Sequence, residues 1–422
     1  AGSGKSRSRR TYTSTRWSRS TAGGSGRLCS IRWWGKYDDP YNQRQALLTL
    51  PLTAGGNAVL YGAAGSGKTT FLTTLHYSLV KQYTADEIHI YALDFGAETL
   101  TAFARAPQVG GVLLGTEEEK IANLFKLLLR EYDARRSLFS RYGGDLLSYN
   151  RNSGKTAPDI LVLVNNYAAF TEQYEKYEEP FAMLSRDGGK YGIRFVITAN
   201  SAMAVRYRIQ QNFKQVLAMQ LNEETGYSAV LGKTGGLVPS AFKGRGLVGM
   251  DGVYEFQTAY PTAEKDLLGF LRGMSAALRE ESVSRARQVP VMPPRVTVET
   301  VEKQIGGLRA VPVGILQESL EPALLDVSAR GLLPVLSNDF TCLQPFAQAL
   351  CRVLSSSGAQ VVCLDAQGVF AGEPDAAVQF YEGGFDEVMT GIFEDFVVRH
   401  DSYKRAKRLG EACPALEPKC VV

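Results

Sequence analysis

The sequence has few of the residues that build metal sites, disulfides or membrane spans. Its 422 residues include six cysteines and three histidines, and no two cysteines have the C-x-x-C spacing of a zinc or thioredoxin-like site. Four of the six cysteines stand in apolar surroundings, which is typical of buried thiols in a reducing compartment. No apolar run approaches the ~18 residues of a transmembrane helix, and no signal peptide is recognisable. We therefore expect a cytosolic chain, although a longer parent could be anchored to a membrane.

Acidic residues are missing from the first 34 positions. Residues 1–34 contain eight Lys or Arg and no Asp or Glu, with Gly, Ser and Thr in most of the gaps. Because this composition cannot build a core, we predict a flexible basic tail or the remnant of a preceding module. Such a tail could contact phosphates or anionic lipid, and a plain linker is the alternative. The net charge of +4 does not by itself indicate nucleic-acid binding.

One motif is complete. The run from Gly62 to Thr69 reads G-A-A-G-S-G-K-T and matches the P-loop pattern G-x-x-x-x-G-K-[ST] at every fixed position. An apolar strand-like run precedes it, and apolar residues at helical spacing follow it. Strand, glycine loop and helix together surround a nucleotide phosphate with backbone N–H groups and the positive end of a helix. In this geometry Lys68 reaches the β- and γ-phosphates, and the Thr69 hydroxyl ligates Mg²⁺.

The sequence therefore predicts that ATP and Mg²⁺ bind here. The alternative is a glycine-rich turn that binds nothing. The predicted nucleotide-binding residues are Gly62, Ala63, Ala64, Gly65, Ser66, Gly67, Lys68, Thr69 and Thr70.

An acid is missing where a P-loop NTPase normally has one. Such enzymes end the third strand of the domain with an Asp that holds the magnesium water shell. Here the apolar run 160–164 leads into Asn165 and Asn166, a degenerate Walker B position. An amide carries no charge for Mg²⁺ and is no general base. We therefore expect ATP binding with weak or absent hydrolysis, and we expect that restoring an Asp at position 165 raises turnover.

Other acids could replace the missing one. Asp94 ends the neighbouring predicted strand and is the best substitute, and Glu98 follows it closely. Asp159 begins the third strand, so it should lie at the wrong end of the sheet.

Three further polar residues are candidates for the site. Asn200 closes the fourth predicted strand and could sense the γ-phosphate by a hydrogen bond, or it could simply form a turn. Arg206 and, less strongly, Arg194 could reach the nucleotide of a neighbouring subunit. The alternative is that both arginines are solvated.

Strand and helix patterns alternate through residues 58–285, which predicts a doubly wound α/β domain with a mostly parallel sheet. A hairpin is predicted at 246–260 and long helices at 120–139 and 263–285. The predicted strands are 58–61, 87–94, 159–164, 193–198 and 216–219. We predict three segments: a basic tail 1–34, a P-loop ATPase module 35–288 and a second module 289–422.

The second module reads as a degraded, incomplete copy of the first. In this alignment Leu343 stands at the position of Lys68 and Gln344 at the position of Thr69. The phosphate loop of the second module is therefore expected to be non-functional. The remaining matches pair 335–336 with 60–61, 346–350 with 71–75, 361–365 with the second strand, 393–401 with 125–133, and 418–422 with 158–162.

The motifs in combination resemble a known family. The segment 38–45 (DDPYNQRQ) precedes the P-loop, and V-N-N-Y at 164–167, I-T-A-N-S at 197–201 and G-R-G-L-V at 244–248 follow it. Together they resemble the FtsK/SpoIIIE-type ATPases of type VII secretion systems (the EssC/EccC family). The resemblance is to the second ATPase module and the start of the third, and implies tandem P-loop NTPase (RecA/FtsK-like) modules.

The resemblance implies a cytosolic part of a motor that acts on WXG-motif secreted proteins. It also implies contacts with other modules of the motor, with membrane components and in a homo-oligomer such as a hexamer. The chain would lie at the cytoplasmic face of the membrane, anchored through a part of the parent that is not in this chain. The family usually has Asp-Asn where this chain has Asn165 and Asn166. Two alternatives stay open: a DNA-translocating ATPase of the same superfamily, against which the missing acid on the third strand argues, and a scaffold that nucleotide only stabilises.

Overall fold

A computed structural model describes residues 31–39, 43–293, 295–302, 306–317, 321–328, 332–366, 378–412 and 418–422. The chain divides into two compact units, unit 1 up to Val289 and unit 2 from Pro290. The two units are described separately below.

Unit 1 is built on one ten-stranded sheet, in the order β2-β1-β10-β9-β8-β3-β7-β6-β4-β5. Its strands are β1 (Ile31–Asp39), β2 (Arg44–Leu50), β3 (Ala58–Tyr61), β4 (Ile88–Asp94), β5 (Val109–Leu114), β6 (Asp159–Asn165), β7 (Ile193–Ala199), β8 (Gln215–Met219), β9 (Arg245–Gly249) and β10 (Val253–Thr258). The six strands from β8 to β5 are parallel to one another, and the other four are antiparallel to their neighbours. The predicted α/β class with a mostly parallel sheet is confirmed.

Helices cover both faces of this sheet. They are α1 (Leu52–Gly55), α2 (Lys68–Gln82), α3 (Glu118–Phe139), α4 (Leu146–Asn152), α5 (Tyr167–Gln173), α6 (Glu178–Asp187), α7 (Tyr207–Gln210), α8 (Thr225–Leu231) and α9 (Leu267–Glu281), with 3₁₀ turns at Thr99–Phe103, Ser140–Tyr142, Glu175–Tyr177, Gly188–Tyr191 and Ala202–Ala204. Successive residues of a strand point to opposite faces. Leu60 of β3 accordingly packs with α2 and α9, whereas Val59 packs with α3, α5 and α6. The parallel strands read as continuous apolar runs because both faces are buried.

Two sequence expectations need correction in unit 1. The predicted flexible tail reached residue 34, but residues 31–34 form the start of β1, where Ile31 pairs with Leu50 and Arg32 with Thr49. The composition of the tail gave no sign of this pairing, because the partner strand β2 lies later in the chain. Residues 1–30, with Cys29, lie outside the described residues. The sequence also missed β2 and β5, and the closing helix spans 267–281 rather than 263–285.

Unit 2 contains a two-stranded antiparallel sheet and a three-stranded parallel one. Its elements are α10 (Val298–Glu302), β11 (Val311–Ile315), β12 (Pro322–Leu325), α11 (Phe340–Ser356), β13 (Gln360–Leu364), β14 (Val378–Tyr381), α12 (Phe385–Leu409) and β15 (Lys419–Val421). The order β14-β13-β15 reproduces the order β5-β4-β6 of unit 1, with every pairing parallel. This shared order supports the internal repeat.

The beginning of the repeat is not as predicted. Val335 and Leu336, matched to the end of β3, form no strand, and Leu336 is 91% exposed. Leu343 and Gln344 lie inside α11, near its beginning, instead of after a glycine loop. The N-terminus of that helix is capped by the Asp339 carboxylate, which accepts the N–H of Thr341 at 2.9 Å. An anionic side chain thus occupies the helix end that a phosphate would need.

Within the parts of the chain that the structure describes, no helix is long and apolar enough to cross a membrane.

Candidate nucleotide-binding site

The complete P-loop motif lies between β3 and α2, at the carboxyl edge of the parallel strands. Gly65 and Gly67 have φ values of 78° and 111°, a region that side chains disfavour. A Cβ on Gly62 would stand 2.5 Å from Ser66 Oγ. Helix α2 begins at Lys68, so its unpaired N–H groups and its positive dipole end face the loop. The strand–loop–helix geometry expected from the sequence is therefore present.

Lys68 lies across this loop. Its ammonium donates hydrogen bonds to the carbonyl oxygens of Gly62 at 2.6 Å and Ala63 at 2.9 Å. Partial burial lowers the pKa of Lys68, because the charged form loses solvation. An arriving phosphate would offset this loss. Thr69 and Thr70 follow in the first helical turn, both half-buried, so the Thr69 hydroxyl lies where a phosphate-bound Mg²⁺ would need it.

These residues fit a nucleoside triphosphate with its magnesium. The glycines leave room for the backbone to approach the phosphates, the helix end supplies N–H donors, and Lys68 supplies the charge. The protein itself offers few ligands for the metal. Among the described residues, no group of three or more His, Cys, Asp or Glu could hold a metal ion by itself. A magnesium ion here would depend on the nucleotide's oxygens, water and Thr69.

Asn165 ends β6 and is fixed at both ends of its amide. Its Nδ2 donates to Asp94 Oδ1 at 2.7 Å, and its Oδ1 accepts from the Thr198 hydroxyl at 3.3 Å. Asn165 is only 3% exposed. The amide therefore ties together β4, β6 and β7, and neither end is directed to solvent.

Asn166 follows with a left-handed backbone, φ 67°. Its N–H donates to the Thr198 hydroxyl at 2.8 Å, and its side-chain Nδ2 donates to the Phe95 carbonyl at 3.3 Å. Its buried Oδ1 has no hydrogen-bond partner within the described part of the chain. A strained backbone and an orphaned buried oxygen at this edge are features that cluster at functional sites.

Asp94, the proposed substitute acid, lies beside Asn165 in the sheet but is already occupied. Its carboxylate accepts N–H bonds from Gly96 at 3.1 Å and Leu100 at 3.2 Å in addition to the Asn165 amide. It is 2% exposed. Glu98 lies on the surface with a left-handed backbone. Asp159 stands at the opposite end of β6, as expected, and forms an ion pair with Arg194 there.

The three other candidates fall in different places. Ala199 accepts the N–H of Gly62 at 3.0 Å, so Asn200, the next residue, lies exposed beside the phosphate loop. Arg206 is exposed and pairs with the buried Glu178 at 2.7 Å. Arg194 is buried in its ion pair with Asp159 at the amino ends of the strands, so the idea that it reaches a neighbouring nucleotide is wrong.

Two residues that the sequence analysis did not assign to the site contact the loop directly. The carbonyl of Gln220 accepts the N–H of Ala63 at 2.6 Å, and the N–H of Gly244 donates to the Ser66 carbonyl at 2.8 Å. The G-R-G run at 244–246 was a signal that could have found the second, since glycines mark close backbone approach. Nothing in the sequence pattern around Gln220 indicated the first.

Comparison with known proteins finds similar sequences and structures. Residues 37–234 match the FtsK/SpoIIIE family model. The chain is 26% identical over 300 residues to the ESX secretion system protein YukB of Bacillus subtilis (strain 168), covering 69% of this chain and 20% of that protein. It is 24% identical over 394 residues to the type VII secretion system protein EssC of Staphylococcus aureus (strain MRSA252), covering 90% and 26%. The chain thus spans about a fifth to a quarter of these relatives.

Two solved structures share the fold. ATPases 2 and 3 of EssC from Geobacillus thermodenitrificans superpose with a TM-score of 0.79 at 20% identity, covering 92% of this chain and 76% of that one. ATPases 2 and 3 of Thermomonospora curvata EccC, solved with a signal sequence peptide, give 0.61 at 23% identity, covering 94% and 73%. The resemblance inferred from the motifs is confirmed: residues 37–234 match the FtsK/SpoIIIE family model, and the chain is similar to the type VII secretion system protein EssC and to the ESX secretion system protein YukB.

Proposed function

We propose that this chain is an ATP-binding part of a type VII protein-secretion motor. In this proposal unit 1 binds Mg-ATP to regulate or assemble the motor and hydrolyses it weakly or not at all. One contrast carries the proposal. The phosphate loop keeps every residue that holds a nucleotide, whereas the Walker B position holds an amide bonded to Asp94 and Thr198.

The chain's own residues would act as follows. Lys68 would leave the carbonyls of Gly62 and Ala63 and bind the β- and γ-phosphate oxygens, while the N–H groups at the start of α2 bind the β-phosphate. Mg²⁺, held through the nucleotide and Thr69, would neutralise phosphate charge. Asn165 and Asn166 cannot accept a proton from an attacking water. Asn200, beside Gly62, is placed to hydrogen-bond the terminal phosphate.

The proposed partners and location follow from the relatives. Two relatives are named as secretion-system proteins, and the EccC structure contains a signal sequence peptide. By analogy this chain would act on WXG-motif secreted proteins together with other modules and membrane components of the same motor. It would lie at the cytoplasmic face of the membrane, anchored through another part of its parent. A homo-oligomer such as a hexamer would bring Arg206, on the surface, towards a neighbour's nucleotide.

Two other functions make different predictions. A DNA translocase would hydrolyse ATP quickly and bind DNA with a steep dependence on salt. The occupied amide at position 165 argues against fast hydrolysis. A scaffold would bind ATP without any change in self-association or partner binding.

The proposal is tested by measuring self-association and capture of a WXG-motif protein with and without Mg-ATP, using the wild-type chain and Lys68→Ala. Nucleotide-dependent assembly or capture that Lys68→Ala lacks is the expected result. Binding of ATP without either effect would favour the scaffold. Salt-sensitive DNA binding with rapid ATP turnover would overturn the proposal in favour of a translocase.

A further inference from the structure

We infer that Gln220 and residues Ser240–Arg245, here called the strap, position the phosphate loop for nucleotide. This inference rests on the proposed nucleotide binding at the loop. It adds a residue outside the motif, Gln220, and a mechanical link between the loop and the β9–β10 hairpin.

The strap contacts the loop through its backbone at Gly244. Gly244 N–H donates to the Ser66 carbonyl at 2.8 Å. A Cβ on Gly67 would stand 2.9 Å from Gly244 N and 3.0 Å from Gly244 Cα. Two glycines with positive φ thus meet directly, and Gly67 has no room for a side chain between the two backbones. Any shift of the strap would therefore move the last turn of the loop.

Gln220 joins the strap to the other end of the loop. It follows β8, and its carbonyl accepts the N–H of Ala63 at 2.6 Å. Its side-chain amide donates to the carbonyls of Ser240 and Phe242, both at 3.0 Å. One residue thus holds the beginning of the loop with its backbone and the beginning of the strap with its side chain.

The strap is in turn fixed to the end of β10, which is also bonded to α2. Gly244 accepts the N–H of Thr258 at 2.9 Å, and the Gln257 side chain donates to the Lys243 carbonyl at 3.2 Å. Just beyond β10, the carbonyl of Ala259 accepts the hydroxyl of Thr74 in α2 at 2.8 Å. The helix that begins in the phosphate loop and the strap behind that loop are therefore held by the same hairpin.

This arrangement lowers the cost of binding. A loop that is already held in place loses less conformational freedom when a phosphate orders it. The coupling is reciprocal, so nucleotide in the loop must also stabilise the strap. Phe242 and Lys243, both on the surface, would carry that change to the exterior of unit 1.

The test replaces Gln220 with Leu, which keeps the size and removes both donors. We expect affinity for a fluorescent Mg-ATP analogue to fall about 10-fold, because the loop would no longer be held in its binding geometry by the strap. The control is Gln215→Leu. Gln215 is the first residue of β8 and donates to the Gly56 carbonyl at 2.8 Å, away from the loop, so its loss should leave affinity unchanged.

A second readout separates positioning from general stability. Hydrogen exchange of the Gly244 amide should slow on addition of the Mg-ATP analogue in the wild type and in Gln215→Leu, but not in Gln220→Leu. Gly244→Ala and Gly236→Ala form a second pair, because both glycines have φ near 80° but only Gly244 has neighbours that a Cβ would meet. Gly244→Ala should weaken binding and Gly236→Ala should not.

The outcomes are distinguishable from those of the proposed function. Wild-type chain that binds no nucleotide would overturn the proposed function and this inference together. Wild-type binding that Lys68→Ala abolishes and Gln220→Leu leaves intact would overturn this inference alone. An equal loss of affinity for the Mg-ATP analogue in Gln220→Leu and Gln215→Leu would also overturn this inference.

Discussion

The side chains of Asp94 and Asn165 are joined across neighbouring strands by a 2.7 Å hydrogen bond in which the amide is the donor. The two residues are register partners in the β4–β6 ladder, and both are buried. The carboxylate at this edge is therefore on β4, satisfied by the amide of Asn165 and two backbone N–H groups. The Asn at position 165 suits its neighbour, because a second carboxylate there would face the first.

Asn165→Asp alone should therefore destabilise unit 1. Two carboxylates in contact repel in a buried site, and we expect the free energy of unfolding to fall by about 3 kcal/mol at pH 8. The repulsion raises the pKa of one carboxyl, so the penalty should shrink as the pH falls and that group takes up a proton. Urea unfolding at several pH values measures this. A variant as stable as the wild type at pH 8 would contradict it.

The exchange Asp94→Asn with Asn165→Asp should recover stability, because it keeps one amide and one carboxylate in the pair. It also moves the acid to β6, the strand that normally carries it. We expect Mg²⁺-dependent phosphate release to rise at least about 10-fold over the wild type, because a carboxylate on β6 could hold the magnesium water shell. Asp94→Asn alone is the control. Flat turnover in a stable exchange variant would mean that another part, such as a neighbour's arginine, is missing.

Lys68→Ala should abolish nucleotide binding. It removes the charge that would contact two phosphates, and a loss of at least about 100-fold in affinity is expected. Lys81→Ala, at the far end of the same helix and exposed, is the matched control. Fluorescence titration with an ATP analogue gives both constants. Equal affinity in Lys68→Ala and the wild type would remove the phosphate-loop assignment.

His76 should make unit 1 sensitive to acid. It is fully buried in α2, stacked on Phe103 with ring centroids 4.0 Å apart, and neither nitrogen has a hydrogen-bond partner among the described residues. Burial lowers the pKa of His76 from 6.5 to about 3. Below pH 6.5 the unfolded chain therefore binds a proton at His76, whereas the folded chain does not. The free energy of unfolding is therefore highest above pH 6.5 and decreases as the pH falls below that value.

The size of that loss can be measured. From pH 7 to pH 5 one such histidine costs about 2 kcal/mol of unfolding free energy. Urea unfolding of the wild type and His76→Leu at both pH values should show a pH-dependent difference of that size. The pKa of His89 is also lowered by burial, to about 4, so some acid sensitivity should remain in the variant. Identical pH dependence in the two proteins would contradict the role of His76.

The two candidate arginines should behave in opposite ways. Arg194→Ala would leave the Asp159 carboxylate buried without its partner and should cost about 3 kcal/mol of stability, with nucleotide affinity unchanged. Arg206→Ala removes an exposed arginine whose partner Glu178 still has Arg208 at 3.0 Å, so it should cost less than about 1 kcal/mol. Any effect of Arg206→Ala should therefore appear in assembled protein. Equal stability losses would contradict this assignment.

The parts of the site that are continuous in the sequence could be predicted from it. β3, the glycine loop and α2 follow one another directly. The motif itself indicates why glycine is needed at each of its fixed glycine positions. The place of Asn165 at the end of β6 followed from the length of its apolar run. Local pattern and final structure agree here because these residues depend on their immediate neighbours.

The parts formed by residues far apart in the sequence could not be predicted. The bond from Asn165 to Asp94 joins residues 71 positions apart, and the contact of Gly244 with Gly67 depends on a hairpin formed much later in the chain. Val335 and Leu336 show the opposite error. Two apolar residues matched the end of β3, but they form no strand in the structure, and Leu336 lies on the surface.

The central claim is that the phosphate loop binds nucleotide while the amide at position 165 limits hydrolysis. It is tested most directly by calorimetric titration of the chain with Mg-ATP, with phosphate release measured on the same sample. The account predicts saturable binding at one site with little or no phosphate released. Rapid release on binding would contradict it by showing that another acid serves in place of Asn165, and the absence of binding would contradict the nucleotide site itself.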